Sequence, residues 1–193
     1  HIWAWTYSEN VEVDESITII GNATSNTTLN ITSGKGFQIS SDDVSISNIL
    51  VKGCGSTLGN NAFQVGGDDV TVENVVGKDC SKGISISGSG TWVGNSTFSN
   101  NHYSGAEIWV GDSSTTAVTF YSNNVWWNGN HGVRVLEDDA IIKNNNIHIN
   151  TKQNTGNIYI KDNSIEFINN IKVKGLSDIV TADGVILSLI HIS

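Results

Sequence analysis

Arg134 is the only arginine in the chain, with His131 three residues before it, Glu137 three residues after it and Glu107 27 residues earlier. An imidazole able to accept a proton beside a fixed guanidinium is a minimal set for removing a proton next to a carboxylate. Arg134 would neutralise the acid and His131 would act as base, with Glu107 and Glu137 as supporting carboxylates. A second grouping is Trp109, Arg134 and Tyr159, spaced evenly by 25 residues. A planar donor between two flat rings can stack on sugar faces and hydrogen-bond their hydroxyls. The same triplet also reads as a cation–π ladder that only stabilises a sheet, at about 0.5 to 1 kcal/mol per exposed contact. Acidic pairs recur at Asp42-Asp43, Asp68-Asp69 and Asp138-Asp139, with Asp112 and Asp162 in the same phase. Stacked carboxylates repel unless they face water or share a cation, so Asp42, Asp43, Asp68 and Asp69 are either calcium ligands or solvated corners.

The elements that must carry these residues follow from a repeat. Phe37 to Cys54 and Phe63 to Cys80, offset by 26 residues, keep Phe, Gln, an Asp pair, Val, Asn and Cys at equivalent places. Inside each copy the apolar residues alternate in short runs, the strand period, and the runs are separated by turn residues. Three strands and three tight corners per repeat make one coil of a parallel β-solenoid. First runs fall at Phe37/Ile39, Phe63/Val65, Ile84/Ile86, Ile108/Val110, Val133/Val135 and Ile158/Ile160, and second runs at Val44/Ile46, Val70/Val72, Thr91/Val93, Val118/Phe120, Ala140/Ile142 and Ile165/Phe167. Between second and third runs stand Asn48, Asn74, Asn95, Ser122, Asn144 and Asn169, a position suited to left-handed backbone and to side-chain ladders along the axis. In this register Gln38, Gln64, Ser85, Trp109, Arg134 and Tyr159 form one outward column, and its last three members make a stripe about 10 Å long. The expected fold is all-β, a right-handed parallel β-helix of about six to seven coils of roughly 21 to 27 residues, three short strands each.

Cys54 and Cys80 are the only cysteines, and their separation equals the local coil length, which places them on neighbouring coils about 4.8 Å apart. That distance permits a disulfide, and a pair of small buried thiols is the competing arrangement. No histidine is spaced to join them in a zinc site.

The runs GFQIS, GISIS, GVRVL and GNIYI, the corners SNN, KNNN and INN, and the opening YSENVEVDESITIIGN resemble the right-handed parallel β-helix proteins, with pectate-lyase-like and NosD-like repeats among them. The resemblance covers about Asn10 to Gly175. It implies the fold and leaves activity open, since one architecture carries many chemistries. Pectate lyases use an R-x-P-x-x-R setting, which a chain without proline does not contain. The Gly67-Asp68-Asp69 and Asn130-His131-Gly132 echoes of polygalacturonase motifs lie over two coils apart. NosD-like relatives are associated with copper, and His102 and His131 at coil spacing are two possible ligands without further Cys, Met or His beside them.

Residues 1–187 read as a single elongated domain belonging to a longer protein truncated at both ends, and 188–193 as a non-native tail. The absence of proline suits strands paired on both edges. A net charge of −9 argues against nucleic acid, which requires a basic stripe. No stretch reaches the ~20 apolar residues of a membrane helix. Asn22, Asn26, Asn30 and Asn95 stand in N-glycosylation patterns, which fit an exterior location and equally fit solenoid turns. The expectation is a monomeric, extracellular or cell-surface β-helix serving as a rigid structural or glycan-contacting module. Its partners would be a polysaccharide or surface glycan, with calcium as the one candidate cofactor. The alternative is a carbohydrate-active enzyme, a lyase, hydrolase or epimerase, whose catalytic set is incomplete here.

Overall fold

The computed structural model describes residues 1–110, 116–136, 140–148 and 150, together with the backbones of the strands Ile158–Ile160, Ile165–Ile168, Ile179–Thr181 and Ile186–Ser188. The strands stack into three parallel sheets. The first sheet has eight strands, from Val11–Val13 to Ile179–Thr181. The second also has eight, from Thr18–Ile20 to Ile186–Ser188, and the third has seven, from Thr6–Tyr7 to Asn146–His148. Up to Asn146–His148 each coil gives one strand to each sheet, so neighbours in a sheet come from successive coils, and every described pairing is parallel. The strand Ile186–Ser188 pairs with Ile165–Ile168, with Ser188 opposite Ile168. Among the described residues no helix is long and apolar enough to cross a membrane.

Alternation decides which side chains enter the core. Phe37, Phe63, Ile84, Ala106 and Val133 stack in one inward column of the first sheet, and Ile39, Val65, Ile86, Ile108 and Val135 in the other. The rings of Phe37 and Phe63 lie parallel with centroids 5.7 Å apart. Higher up, Phe98 from the third sheet stacks on Phe120 at 5.9 Å and fills the space left beside Gly77 and Gly83, where an added Cβ would meet its ring at 3.1 and 2.8 Å. Large side chains therefore alternate with gaps left by small ones, as a narrow core at native density requires.

This pairing corrects the expected register in one coil. Ile84 and Ile86 are opposite Ala106 and Ile108, where the sequence had suggested Ile108 and Val110. Both alternatives point inward, and Val110 is buried, so a slip of two residues keeps every face and alternation alone does not detect it. What sets the register is the glycine before the first inward residue. At Gly105 a Cβ would meet Val125 Cγ1 at 2.3 Å and Gly132 O at 2.8 Å, and Gly36 and Gly83 are equally crowded.

Corners need a separate solution, because there the coil-to-coil backbone ladder, still made by left-handed residues such as Asn74 and Asn100, is interrupted at the residue that follows. At the corner between second and third sheets Asn48, Asn74, Asn95, Ser122 and Asn144 take left-handed φ of 49° to 62°. The next residue is the buried ladder: the Val75 N–H donates to Ser96 Oγ, that of Ser96 to Asn123 Oδ1 and that of Asn123 to Asn145 Oδ1, at 2.7 to 3.1 Å. A second ladder runs through the corner between third and first sheets. The Cys80 N–H donates to Asn101 Oδ1, that of Asn101 to Asn128 Oδ1 and that of Asn128 to Asn150 Oδ1, at 3.0 to 3.2 Å, while the Asn128 Nδ2 donates back to Phe98 O at 3.1 Å. Cys54 and Cys80 occupy the lower rungs of this ladder and form a disulfide with Cα atoms 4.5 Å apart.

Replacing Asn128 with Ala strands the buried Asn101 N–H and takes one donor from the Phe98 carbonyl. It is expected to destabilise by roughly 2 to 4 kcal/mol in urea unfolding, whereas Asn95→Gly at an exposed left-handed corner should change little. Equal stability of Asn128→Ala and parent would show that the ladder does not hold the coils.

Candidate functional site

The first-sheet strands Ser104–Ile108 and His131–Val135, five residues each, are the longest described, and they pair with Ser104 opposite His131 and Glu107 opposite Arg134. Their outward column continues down through Ser85, Gln64 and Gln38. Below Ser85 the column holds Gln64, Gln38 and the exposed Glu12, and its two glutamines are tied sideways. Gln38 accepts from Lys35 Nζ at 2.8 Å, and Gln64 from Asn61 Nδ2 at 2.7 Å. Lys82 occupies the equivalent sideways position, but Ser85 of its own coil is short, and its ammonium instead meets Glu107 Oε1 in the next coil. Arg134 Nη1 holds Glu107 Oε2 from the other side at 3.0 Å. Glu107 is thus 4% exposed although it faces outward, because a lysine stem and a guanidinium cover it. A buried carboxylate is tolerable only with such partners.

His131 follows Asn130 at the start of its strand and is half-buried. Its pKa is lowered, first by burial and then by the Arg134 charge, against an opposing pull from Glu107. The neutral imidazole is therefore favoured, and it carries an acceptor nitrogen near Arg134. The cluster as a whole holds two cations and one anion on a protein of net charge −9.

Trp109 is not in this column. Its N–H donates to Ile86 O at 2.8 Å, one step past Ile108, and its side chain is 55% exposed at the end of the strand. The expected Trp109–Arg134–Tyr159 stripe is corrected to Glu107–Arg134–Tyr159, with Tyr159 in register opposite Arg134 and its side chain outside the described residues. Glu137 also lies outside them, as do Asp112, Asp138, Asp139, Asp162 and Asn169. His102 does not stack with His131, whose partner is Ser104. Its ring packs edge-on against Tyr103 at 4.9 Å. Sequence reading passed over Lys82, although Lys35-Gly36 and Lys82-Gly83 before the first runs were a visible signal.

The acidic corners have work within the fold. Asp42 Oδ1 accepts the Asp68 N–H at 2.8 Å and Asp68 Oδ1 accepts the Ser89 N–H at 2.7 Å, so each carboxylate caps the next coil. Asp43 and Asp69 are the left-handed residues of the same corner, at φ 56° and 53°. Among the described residues no group of three or more His, Cys, Asp or Glu is arranged to hold a metal ion. Lower on the first-sheet side, Glu12, Lys35, Gln38 and Leu58 line an open depression of about 540 Å³.

The family model for the right-handed β-helix region matches residues 35–181. The chain belongs to the right-handed β-helix family. Among solved structures this β-helix is similar to the crystal structure of the Agl-KA catalytic domain, with 15% identity and a TM-score of 0.56, the match covering 93% of this chain and 44% of that one. The β-helix thus spans less than half of that domain, and the likeness is one of fold. No curated protein sequence matches the chain.

The lowered pKa of His131 has a sign that can be measured. Below the ordinary histidine pKa of about 6.5 the unfolded chain takes up the proton more readily than the folded one, so stability falls as pH drops through the folded pKa. His131→Gln should flatten that fall below about pH 6.5 in thermal unfolding. An unchanged pH profile in the variant would remove His131 from the cluster's electrostatics.

Proposed function

We propose that this β-helix is an exported, rigid module that holds a glycan against the outward face of its first sheet around Arg134, without cleaving it. The observation that carries this reading is the clamp at Glu107. Of the two described carboxylates in this outward column, Glu12 is exposed and Glu107 alone is sequestered, between Lys82 and Arg134. The clamp fixes the guanidinium plane on a strand, and a fixed planar donor suits vicinal hydroxyls or a sugar carboxylate. Non-cleaving contact is favoured because glycoside hydrolysis uses two carboxylates about 5 to 9.5 Å apart, and Glu107 is engaged by both cations. Export is favoured by the Cys54–Cys80 disulfide, since such bonds persist in oxidising compartments.

A second reading has one observation in its favour. His131, kept neutral beside Arg134, has the protonation state of a general base, the arrangement a lyase or epimerase would use. A glycan array with the parent and the Arg134→Ala, His131→Gln and Trp109→Ala variants, paired with a search for unsaturated or reducing-end products, tests both. The binding reading expects weak association, lost about tenfold in Arg134→Ala and unchanged in Trp109→Ala, with no product. Product that depends on His131 would establish the enzyme, and no binding to any glycan would leave a structural stalk.

A further inference from the structure

Trp127 stands at the left-handed position of the corner between third and first sheets. In the coils below, that position holds Gly53, Asp79 and Asn100, at φ 79°, 55° and 55°, and Trp127 takes φ 54°. Glycine, asparagine and aspartate enter this region at little cost, whereas a bulky side chain there is an outlier. Strain of this kind gathers at ligand clamps.

The corner itself does not call for an indole. Asn100 makes the same turn and bonds its side chain to Asp79 in the coil below. The Trp127 ring is instead 55% exposed and braced edge-on by Trp126, with centroids 5.1 Å apart and planes at 60°. Trp126, paired in register with Ser99 and His148, keeps its own indole N–H buried with no acceptor among the described residues. Two neighbouring residues thus carry unfavourable features whose joint result is one oriented aromatic face.

That face leads to the clamp. The chain runs from Trp127 through Asn128, Gly129 and Asn130 into the strand bearing His131 and Arg134. Gly129 is required by close approach, since a Cβ there would meet His102 O at 1.9 Å, and it raises no side chain between the ring and the strand. Arg134 is seven positions after Trp127, so at full extension their Cα atoms are at most about 25 Å apart, a span open to an oligosaccharide.

We infer that Trp127 is a stacking platform for a sugar ring, and that with Arg134 it forms one glycan site wrapping this corner. The inference rests on the glycan reading above and adds a ring-recognising end to it. Titration calorimetry with neutral and uronate-containing tri- to hexasaccharides, alongside thermal unfolding, tests it on the parent and on Trp127→Asn, Trp127→Phe and Arg134→Ala. Trp127→Asn fits the left-handed turn better, so its Tm should rise by about 2 to 4 °C while its Kd weakens about three- to tenfold. Trp127→Phe keeps a ring and the strain, and should bind within about threefold of the parent with no gain in Tm. If Trp127→Asn binds as the parent does while Arg134→Ala loses binding, the platform is overturned and the glycan reading stands. A fall in Tm for Trp127→Asn would overturn the strain argument, and a parent that binds no member of the panel would overturn both proposals.

Discussion

Everything in this molecule depends on backbone hydrogen bonding between successive coils. A strand of three residues has no stability alone, and here each one is satisfied only by the equivalent strand one coil above and one coil below. That arrangement is interrupted for single residues where the chain bends, because a corner does not present every N–H to a backbone carbonyl along the axis. The bends are therefore where the sequence is most constrained. Left-handed Asn, Asp and Gly make the turns, and the side chains of Ser96, Asn123 and Asn145 on one corner and Asn101, Asn128 and Asn150 on another stand in for the missing backbone partners. An amide is well suited to this, since it accepts from one coil and donates to another with the same group. The Cys54–Cys80 disulfide continues the second ladder downward with a covalent link where no amide is present, and the Cys54 N–H still donates to Cys80 Sγ at 3.3 Å.

Against that regular background the departures are local and lie together. Glu107, Arg134, Lys82, His131, Trp126 and Trp127 fall in adjacent coils around one corner and the sheet that follows it. Each departs from what stacking alone favours: a buried carboxylate in an outward column, a burial-shifted histidine, a tryptophan in a glycine-like turn. A solenoid tolerates such changes because each coil contacts only its neighbours, so the strain of one corner need not propagate. Rigid strands then hold the unusual side chains in fixed relation, which a loop would not do.

The strand period, the coil length, the three runs per coil and the inward residues of most coils were legible in the sequence, because a buried narrow core demands alternation and alternation is a one-dimensional property. The asparagine column was legible as a corner. Its division of labour was not, since Asn95 turns the chain while the adjacent Ser96 carries the ladder, and the two differ only in backbone conformation and burial. The doublets at Asp42 and Asp68 were visible as acidic, but their engagement with backbone N–H groups of the next coil was not.

Composition and periodicity, then, determined that this chain coils, roughly how long each coil is, and that its charge is acidic. Tertiary structure decided which residues share a column. A shift of two positions leaves every side chain on its proper face, so no pattern of polar and apolar residues separates Trp109 from Glu107 as the neighbour of Arg134. That choice was made by steric contact, at Gly105, where the absence of a side chain lets Val125 and the Gly132 carbonyl approach and sets the strand two residues earlier than its apolar residues suggest. Because register decides which charges meet, the clamp on Glu107 could only be seen once the coils were stacked.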